Sequence, residues 1–292
     1  MATILAYHKP AQPALSRIKH GLGLALLSIF AMFFLVPLLW LCYVSFLPKI
    51  DIFRVPPAII QNFGATVRNF SLVSFRQALV QWHAAQVFLN SIVVTGAAIV
   101  LTLLVSSLTA YAFAFLKFRG RNALFFLVLC TMMLPMVTMI TPFYQVVGIF
   151  GLRNKLFGVI LPYTASAFNV FLLRQYFVRI PTAFFEAAVV DGASKFRIWW
   201  RIVMPLSKPA LIALAIYQFR TVWNDFLNPM LILRDERLFT IPIKLQFMDS
   251  QNINVPWDAM MAIGFVGVLV PVLFFLVFQR QFMEGISGGI KG

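Results

Sequence analysis

Charge is what this sequence has least of. Of its 292 residues only 11% are Asp, Glu, Lys or Arg and only nine are acidic, against roughly 25% charged residues in soluble domains. That excludes an ordinary water-facing domain. Cysteine is as scarce: Cys42 and Cys130 are the only two, both inside apolar runs. They read as packing residues and give no disulfide framework. The three histidines, His8, His20 and His83, fall in different segments, and no carboxylate pair shares a face of an apolar run. A membrane enzyme needs clustered His, Asp or Cys, so neither a catalytic residue nor a metal site is expected.

What the chain has is apolar length: 61% of residues are hydrophobic. A hydrocarbon core about 30 Å thick needs roughly 20 apolar residues per helix. Residues 21–47, 87–116 and 122–152 contain no charged residue, nor do 156–173 and 259–278, and 209–233 carries only Arg220 and Asp225. These six runs predict an all-α polytopic membrane protein with six transmembrane helices. Residues 1–19 precede them, 20–281 form the membrane domain and 282–292 a tail. The first run is too long for a secretory signal and is followed by no cleavage site, so it reads as an uncleaved anchor.

The net charge is +15, a balance that invites a nucleic-acid partner, but its distribution points to membrane orientation. With six spans and the N-terminus inside, cytoplasmic segments hold 14 of the 24 Lys and Arg residues, nine lie outside, and Arg220 is within a span. That follows the positive-inside rule. Both termini are then cytoplasmic, and no nucleic acid is expected as a partner. Residues 48–86 form the longest outer loop, with a short amphipathic helix near 75–82, and 174–208 the only large inner one. Pro135 and Pro142 in the third run, and Pro271 in the sixth, mark kinks or breaks. They fit ordinary bundle kinks, or, for the first two, a cavity offering Tyr144 and Gln145 as hydrogen-bonding groups.

The inner loop carries the most information. Pro181 precedes a helix start with Thr182 as candidate cap, and a short helix over 183–191 ends at Gly192, where the missing Cβ permits a turn. Ser194 can cap a second helix over 195–204, which Pro205 terminates. On it, Phe196, Trp199, Trp200 and Val203 recur at helical spacing. One reading is an interfacial helix with Trp residues among lipid headgroups. The first helix fits a different one: Ala187 and Ala188, framed by Glu186, Asp191 and Gly192, are a small-residue knob for a partner's groove.

The string Glu186-Ala187-Ala188, then Gly192, Ile202 and Pro205, resembles the EAA loop of the membrane permeases of binding-protein-dependent ABC importers. Asp191-Gly192-Ala193-Ser194, Pro205-Leu206-Ser207-Lys208-Pro209, Leu89-Asn90-Ser91, Trp223-Asn224-Asp225-Phe226-Leu227 and the tail Gly285–Gly292 are similar to its carbohydrate-uptake branch, the maltose-type second permease. The resemblance implies a cytoplasmic-membrane subunit of a bacterium or archaeon. It implies partnership with a second permease, an ATPase dimer and an extracytoplasmic binding protein that delivers a sugar or related solute. The loop over 181–208, between the fourth and fifth spans, would be the coupling helix, with Glu186, Ala187, Ala188, Asp191, Gly192, Ala193 and Pro205 at the ATPase. ATP and magnesium would sit on that ATPase and no cofactor on this chain. For the tail two readings stand, an approach to the ATPase or a frayed end.

For the solute path, the fifth run offers Tyr217, Arg220, Thr221, Asn224, Asp225 and Asn228 within one arc at 100° per residue, with Phe219 and Phe226 opposite. A charge inside the bilayer is costly and turns toward protein or water, so the stripe is expected to face the bundle interior. It either lines the path or bonds across helices or to the partner permease. Tyr144, Gln145 and Asn169 are further candidates. A secondary transporter is the main alternative, but such folds favour midplane coupling groups and repeated halves, and no repeat is evident. A passive channel would have no use for the EAA-like loop.

Overall fold

The computed structural model describes residues 14–53, 70–250 and 255–288, the side chains of 14–20, 136 and 280–288 excepted. Residues 1–13 of the N-terminal segment, residues 54–69 of the 48–86 loop and residues 289–292 of the tail lie outside the described residues. No strand occurs among those described, as an apolar chain that must satisfy its own backbone in lipid requires.

Helix α1 spans Ala14–Ser45 and runs through Pro37. Short helices α2 (Lys49–Ile52) and α3 (Val73–Val80) follow, the latter close to the expected amphipathic segment. The 32-residue α4, Ala84–Phe115, is the central post. Its polar side chains at Asn90, Ser91, Thr95, Thr102, Ser106 and Ser107 are all buried, so small hydroxyls let neighbouring helices approach closely.

The third apolar run forms two short helices, α5 (Arg121–Thr131) and α6 (Met136–Ile149). Pro135 sits extended between them as the cap of α6, because proline constrains the preceding residue and cannot donate to the ladder. The fourth run is a bent pair, α7 (Leu156–Tyr163) and α8 (Ala167–Phe177), meeting at 45°. Gly158 is required in α7: a Cβ there would lie 2.3 Å from the Leu152 carbonyl oxygen. Helix α9 is Thr182–Val190. Helices α10 (Lys195–Leu206) and α11 (Lys208–Trp223) meet at 79°. Helix α12 covers Leu227–Ile232, α13 Ile241–Asp249 and α14 Trp257–Gly288, the last running through Pro271.

Among the described residues, three helices are individually long and apolar enough to cross a bilayer: Gly21–Ser45 of α1, α4, and Trp257–Gln279 of α14. The remaining predicted crossings are assembled from shorter or bent pieces, so helix length alone does not yield six.

Around α4 pack α8 and α11 as its main neighbours, with α7, α13 and α3 against it as well. At its Phe115 end a core cluster joins Ala110 and Tyr111 to Leu173, Phe177, Ala188, Ile198, Trp199, Val203, Ala210 and Leu214. Toward its Ala84 end two clusters join it to α7, α11, α12, α13 and α14. Helix α14 is tied to α11 by Phe219, stacked on Phe274 at 4.0 Å, and by Trp223 Nε1 donating to the Gly267 carbonyl at 3.2 Å.

Candidate functional site

The segment between α8 and α11 is a helical hairpin built by local rules. Pro181, extended, caps α9 without a side-chain bond, so Thr182 is the first helical residue and the expected Thr182 cap is corrected. At the far end Gly192 takes φ +71°. Its N–H donates to the Val189 carbonyl, and the Ala193 N–H reaches back to Ala188 at 2.9 Å. That pair of bonds is a Schellman closure, which needs a left-handed residue after the cap and sets an apolar residue against the last turn. Ala193 and Ala188 share the same core cluster. Ser194 then caps α10, its Oγ accepting from the Arg197 N–H at 3.3 Å, as expected. Asp191-Gly192-Ala193-Ser194 is thus a two-helix corner closed by its own hydrogen bonds.

Pro205 does not end the second helix. Trp199–Val203 forms a π turn, with the Met204 N–H donating to the Trp199 carbonyl, and the chain continues helically to Leu206. A wider turn just before a proline removes a bond the proline could not supply. The bend falls one residue later, at buried Ser207. The buried face also differs from the expected one. Ile198, Trp199 and Val203 are buried, while Phe196 and Trp200 stand exposed, Trp200 by 57%. Lys195, Arg197 and Arg201 are exposed as expected.

Helix α9 has two unlike sides. Phe185 stacks on Phe115 and Ala188 is buried in the core. Tyr111, on α4, donates its hydroxyl to the Lys195 carbonyl at 3.0 Å and fixes the hairpin to the same post. Phe184, Glu186, Ala187, Val189, Val190 and Asp191 all face outward, Val190 by 87%. Of the adjacent alanines, Ala188 therefore serves the fold and Ala187 the outer surface.

The polar stripe divides differently from expectation. Helix α11 stops at Trp223, so one helical arc holds only through Asn224. Its aromatic side is the one packed inside the chain, through Phe219 and Trp223 on α14, while Tyr217, Arg220 and Asn224 lie on the outside of this subunit. Within this subunit the expected bundle-facing side of the stripe is not the packed one: stacking and the Trp223 hydrogen bond hold the aromatic side there. Thr221 and Asn224 bond back to the Tyr217 and Arg220 carbonyls of their own helix.

Beyond the helix end, Asp225 accepts from the Tyr163 hydroxyl, from Asn228 Nδ2 at 2.7 Å and from the Leu227 N–H at 2.9 Å. Asn169 is buried and donates to Gln218 on α11 at 3.3 Å. On α6, Tyr144 lies under the Arg153 guanidinium at 4.7 Å, and Gln145 is exposed. Tyr163 and Gln218 were missed by sequence reasoning. The available signal was Tyr163 directly after Pro162, at a break in an otherwise apolar run.

A second polar region lies at the Ala84 end. Asn90 donates to the Arg237 and Phe239 carbonyls at 2.8 and 3.0 Å, and Ser91 accepts from the Ile241 N–H at 2.9 Å. Asn154, at φ +55°, accepts from the Arg234 and Asp235 N–H groups. These bonds pin the segment before α13 beside a cleft of about 550 Å³ lined by His83, Gln86, Asp235, Glu236, Arg237 and Lys244. Lys244 is 3% exposed and paired with Glu236 at 3.1 Å, with the Trp82 and Phe247 rings over its ammonium. Hydrogen bonds from Arg237 hold the Asp235 carboxyl below the usual carboxylate range, and Asp235 raises Arg237 in return.

Residues 102–287 match the family of binding-protein-dependent transport system inner membrane components. The arabinooligosaccharides transport system permease protein of Halalkalibacterium halodurans is 36% identical over 274 residues, 93% of this chain and 95% of that protein. The sn-glycerol-3-phosphate transport system permease protein of Rhizobium meliloti is 32% identical over 272 residues, 92% and 96% of the two chains. The fold is that of a chain in the crystal structure of a bacterial ABC transporter involved in alginate import, with a TM-score of 0.80 at 24% identity, covering 94% of this chain and all of that one. Matched over most of its length in both sequence and fold, the chain belongs to the binding-protein-dependent transport system inner membrane components, as a permease subunit of an ABC importer and not itself an enzyme.

Proposed function

We propose that this chain forms one half of the path of a carbohydrate importer and receives force through α9. The observation that carries the reading is the two-sided hairpin: its back is fixed in the core through Phe185, Ala188, Ile198 and Trp199, while its front exposes apolar Phe184, Ala187 and Val190 around Glu186. An exposed apolar patch on a rigid mount is a protein contact. Its partner is the ATPase dimer, engaged by Glu186, Ala187, Asp191 and Gly192. Ala188, Ala193 and Pro205 hold the shape of the contact. ATP and magnesium belong to that dimer and this chain binds no cofactor.

In this reading the chain crosses the membrane six times, with both termini in the cytoplasm and 181–208 facing the ATPase. Tyr217, Asn224 and Gln145, exposed on this subunit, meet the path or the second permease, and Tyr144, Thr221, Asp225 and Asn228 support them. The names of the relatives support a sugar or oligosaccharide delivered by an extracytoplasmic binding protein, with glycerol-phosphate-type solutes next.

The test is uptake of labelled arabinooligosaccharides, maltose and glycerol 3-phosphate into vesicles carrying the subunits encoded with this chain, with the binding protein added. ATP-dependent uptake of one of them, and co-purification with an ATPase and a sister permease, is expected. Uptake that persists in ATP-depleted vesicles on a proton gradient would overturn the reading in favour of an ion-driven secondary transporter.

A further inference from the structure

Two helix breaks meet at one point. The first, at residues 164–166, separates α7 from α8; the second, at 224–226, separates α11 from α12. Tyr163 stands at the first and Asp225 at the second, and the phenol donates to the carboxylate across 62 positions of chain. Asn228, buried, donates to the same carboxylate oxygen at 2.7 Å, and the Leu227 N–H takes the other oxygen at 2.9 Å. The Tyr163 main chain is held in turn, its carbonyl accepting from Thr102 of α4 at 2.6 Å. All the side chains involved belong to this chain, and the carboxylate is supplied with donors before any solute arrives.

Between the breaks, α8 and α11 are joined again by the buried Asn169–Gln218 bond at 3.3 Å and by the Phe168 and Tyr217 rings at 5.2 Å. At their other ends both helices enter the core that holds α9 and α10. Residues 167–223 therefore form a closed unit, with the hairpin at one end and the Tyr163–Asp225 joint at the other.

We propose that Tyr163 is a positioning residue for transport. By holding Asp225 it makes the two breaks bend as one, so that displacement of α9 reaches α7 and α12 together and is not lost in two independent hinges. Asp225 is on this account a structural acceptor and not a solute ligand. The inference rests on the proposed function, because it needs force to arrive at α9. A polar group buried beside a helix break stays only where its partners satisfy it, and here those partners come from both breaks.

The experiment uses the reconstituted complex with its loaded binding protein. Tyr163→Phe keeps the ring and removes one donor to a charged group, so solute taken up per ATP hydrolysed is expected to fall about tenfold. ATP hydrolysis and the KM for the loaded binding protein stay at their wild-type values. Asp225→Asn should give the same loss, and the double variant no more than either alone. Unchanged coupling in Tyr163→Phe, or a raised KM with coupling intact, overturns the proposal. A second measurement leaves the joint unaltered: spin labels at Ala165 and Asn224, both exposed, should report the same distance with and without ATP. Separation of the labels on ATP binding overturns it as well. Absence of ATP-dependent uptake in the wild-type complex would instead sink the proposed function, and is read before any variant.

Discussion

Phe115 at the end of α4 and Phe185 on α9 stack with ring centroids 5.3 Å apart and planes only 4° from parallel. This pair links the longest buried helix of the chain to the segment that meets the ATPase in the proposed function, and Tyr111 lies alongside both rings.

Phe185→Ala removes that pair and leaves a gap at the root of α9, a loss of about 2 kcal/mol for a half-buried ring and its stacking partner. The chain should still insert in the membrane. Limited proteolysis is expected to cut within 181–194 several times faster than in wild type, and unchanged protection would contradict the anchoring role.

The two alanines separate fold from contact. Ala188→Leu forces a larger side chain into a filled core and should cost about 1–3 kcal/mol, seen as a lower Tm of the purified subunit. Ala187→Leu sits on the outer side and should leave that Tm unchanged while preventing co-purification of the ATPase. Equal Tm losses for both would show that α9 is buried on both sides.

Gly192→Ala meets no neighbouring atom, so its cost is that of a left-handed backbone alone, about 1 kcal/mol. Gly158→Ala is the opposite case: its φ is ordinary, but the new Cβ collides with the Leu152 carbonyl. It should cost more than Gly192→Ala, about 2 kcal/mol or above. Thermal unfolding of the two variants in one detergent gives the order, and the reverse order would refute the assignment of causes.

Lys244 and Glu236 are unequal partners. The lysine is buried and the glutamate half exposed, so Glu236→Ala leaves an uncompensated buried ammonium, whereas Lys244→Met leaves a solvated carboxylate and fills the same space. Glu236→Ala should therefore destabilise more, by about 1 kcal/mol after screening at the exposed side. Equal unfolding temperatures would mean that Lys244 draws its support from the Trp82 and Phe247 rings alone.

Much of this architecture was legible in the residues. Apolar run length marked the three helices long enough to cross a bilayer, and Pro135 marked the break between α5 and α6. Gly192 and Ser194 announced the corner, because one supplies a left-handed turn and the other a cap, both of them local requirements. What failed to show was tertiary. The buried face of α10, Ile198, Trp199 and Val203, is set by packing against Tyr111, Leu173 and Phe177, which the local sequence does not encode. The end of α11 at Trp223 depends on Asp225 finding Tyr163 and Asn228, whereas a fixed 100° step carried the polar stripe straight past it. The inward side of that helix was misassigned because polarity was weighed and the stacking of Phe219 on Phe274 was not. Leu89-Asn90-Ser91, visible only as a likeness, is a clasp for main-chain groups at 237–241.

None of the most apolar window of α1 is buried against the rest of the chain; only its last residues, Tyr43, Val44 and Leu47 beyond it, join a small core cluster. The apolar body of α1 thus needs no burial against the rest of the chain to remain in the bilayer. Synthesis divides into two events: anchorage of the nascent chain, which α1 can supply once it has emerged, and folding around α4, which must await the helices up to α14. A translation pause between the two would strand a membrane-tethered intermediate whose later helices have yet to be made.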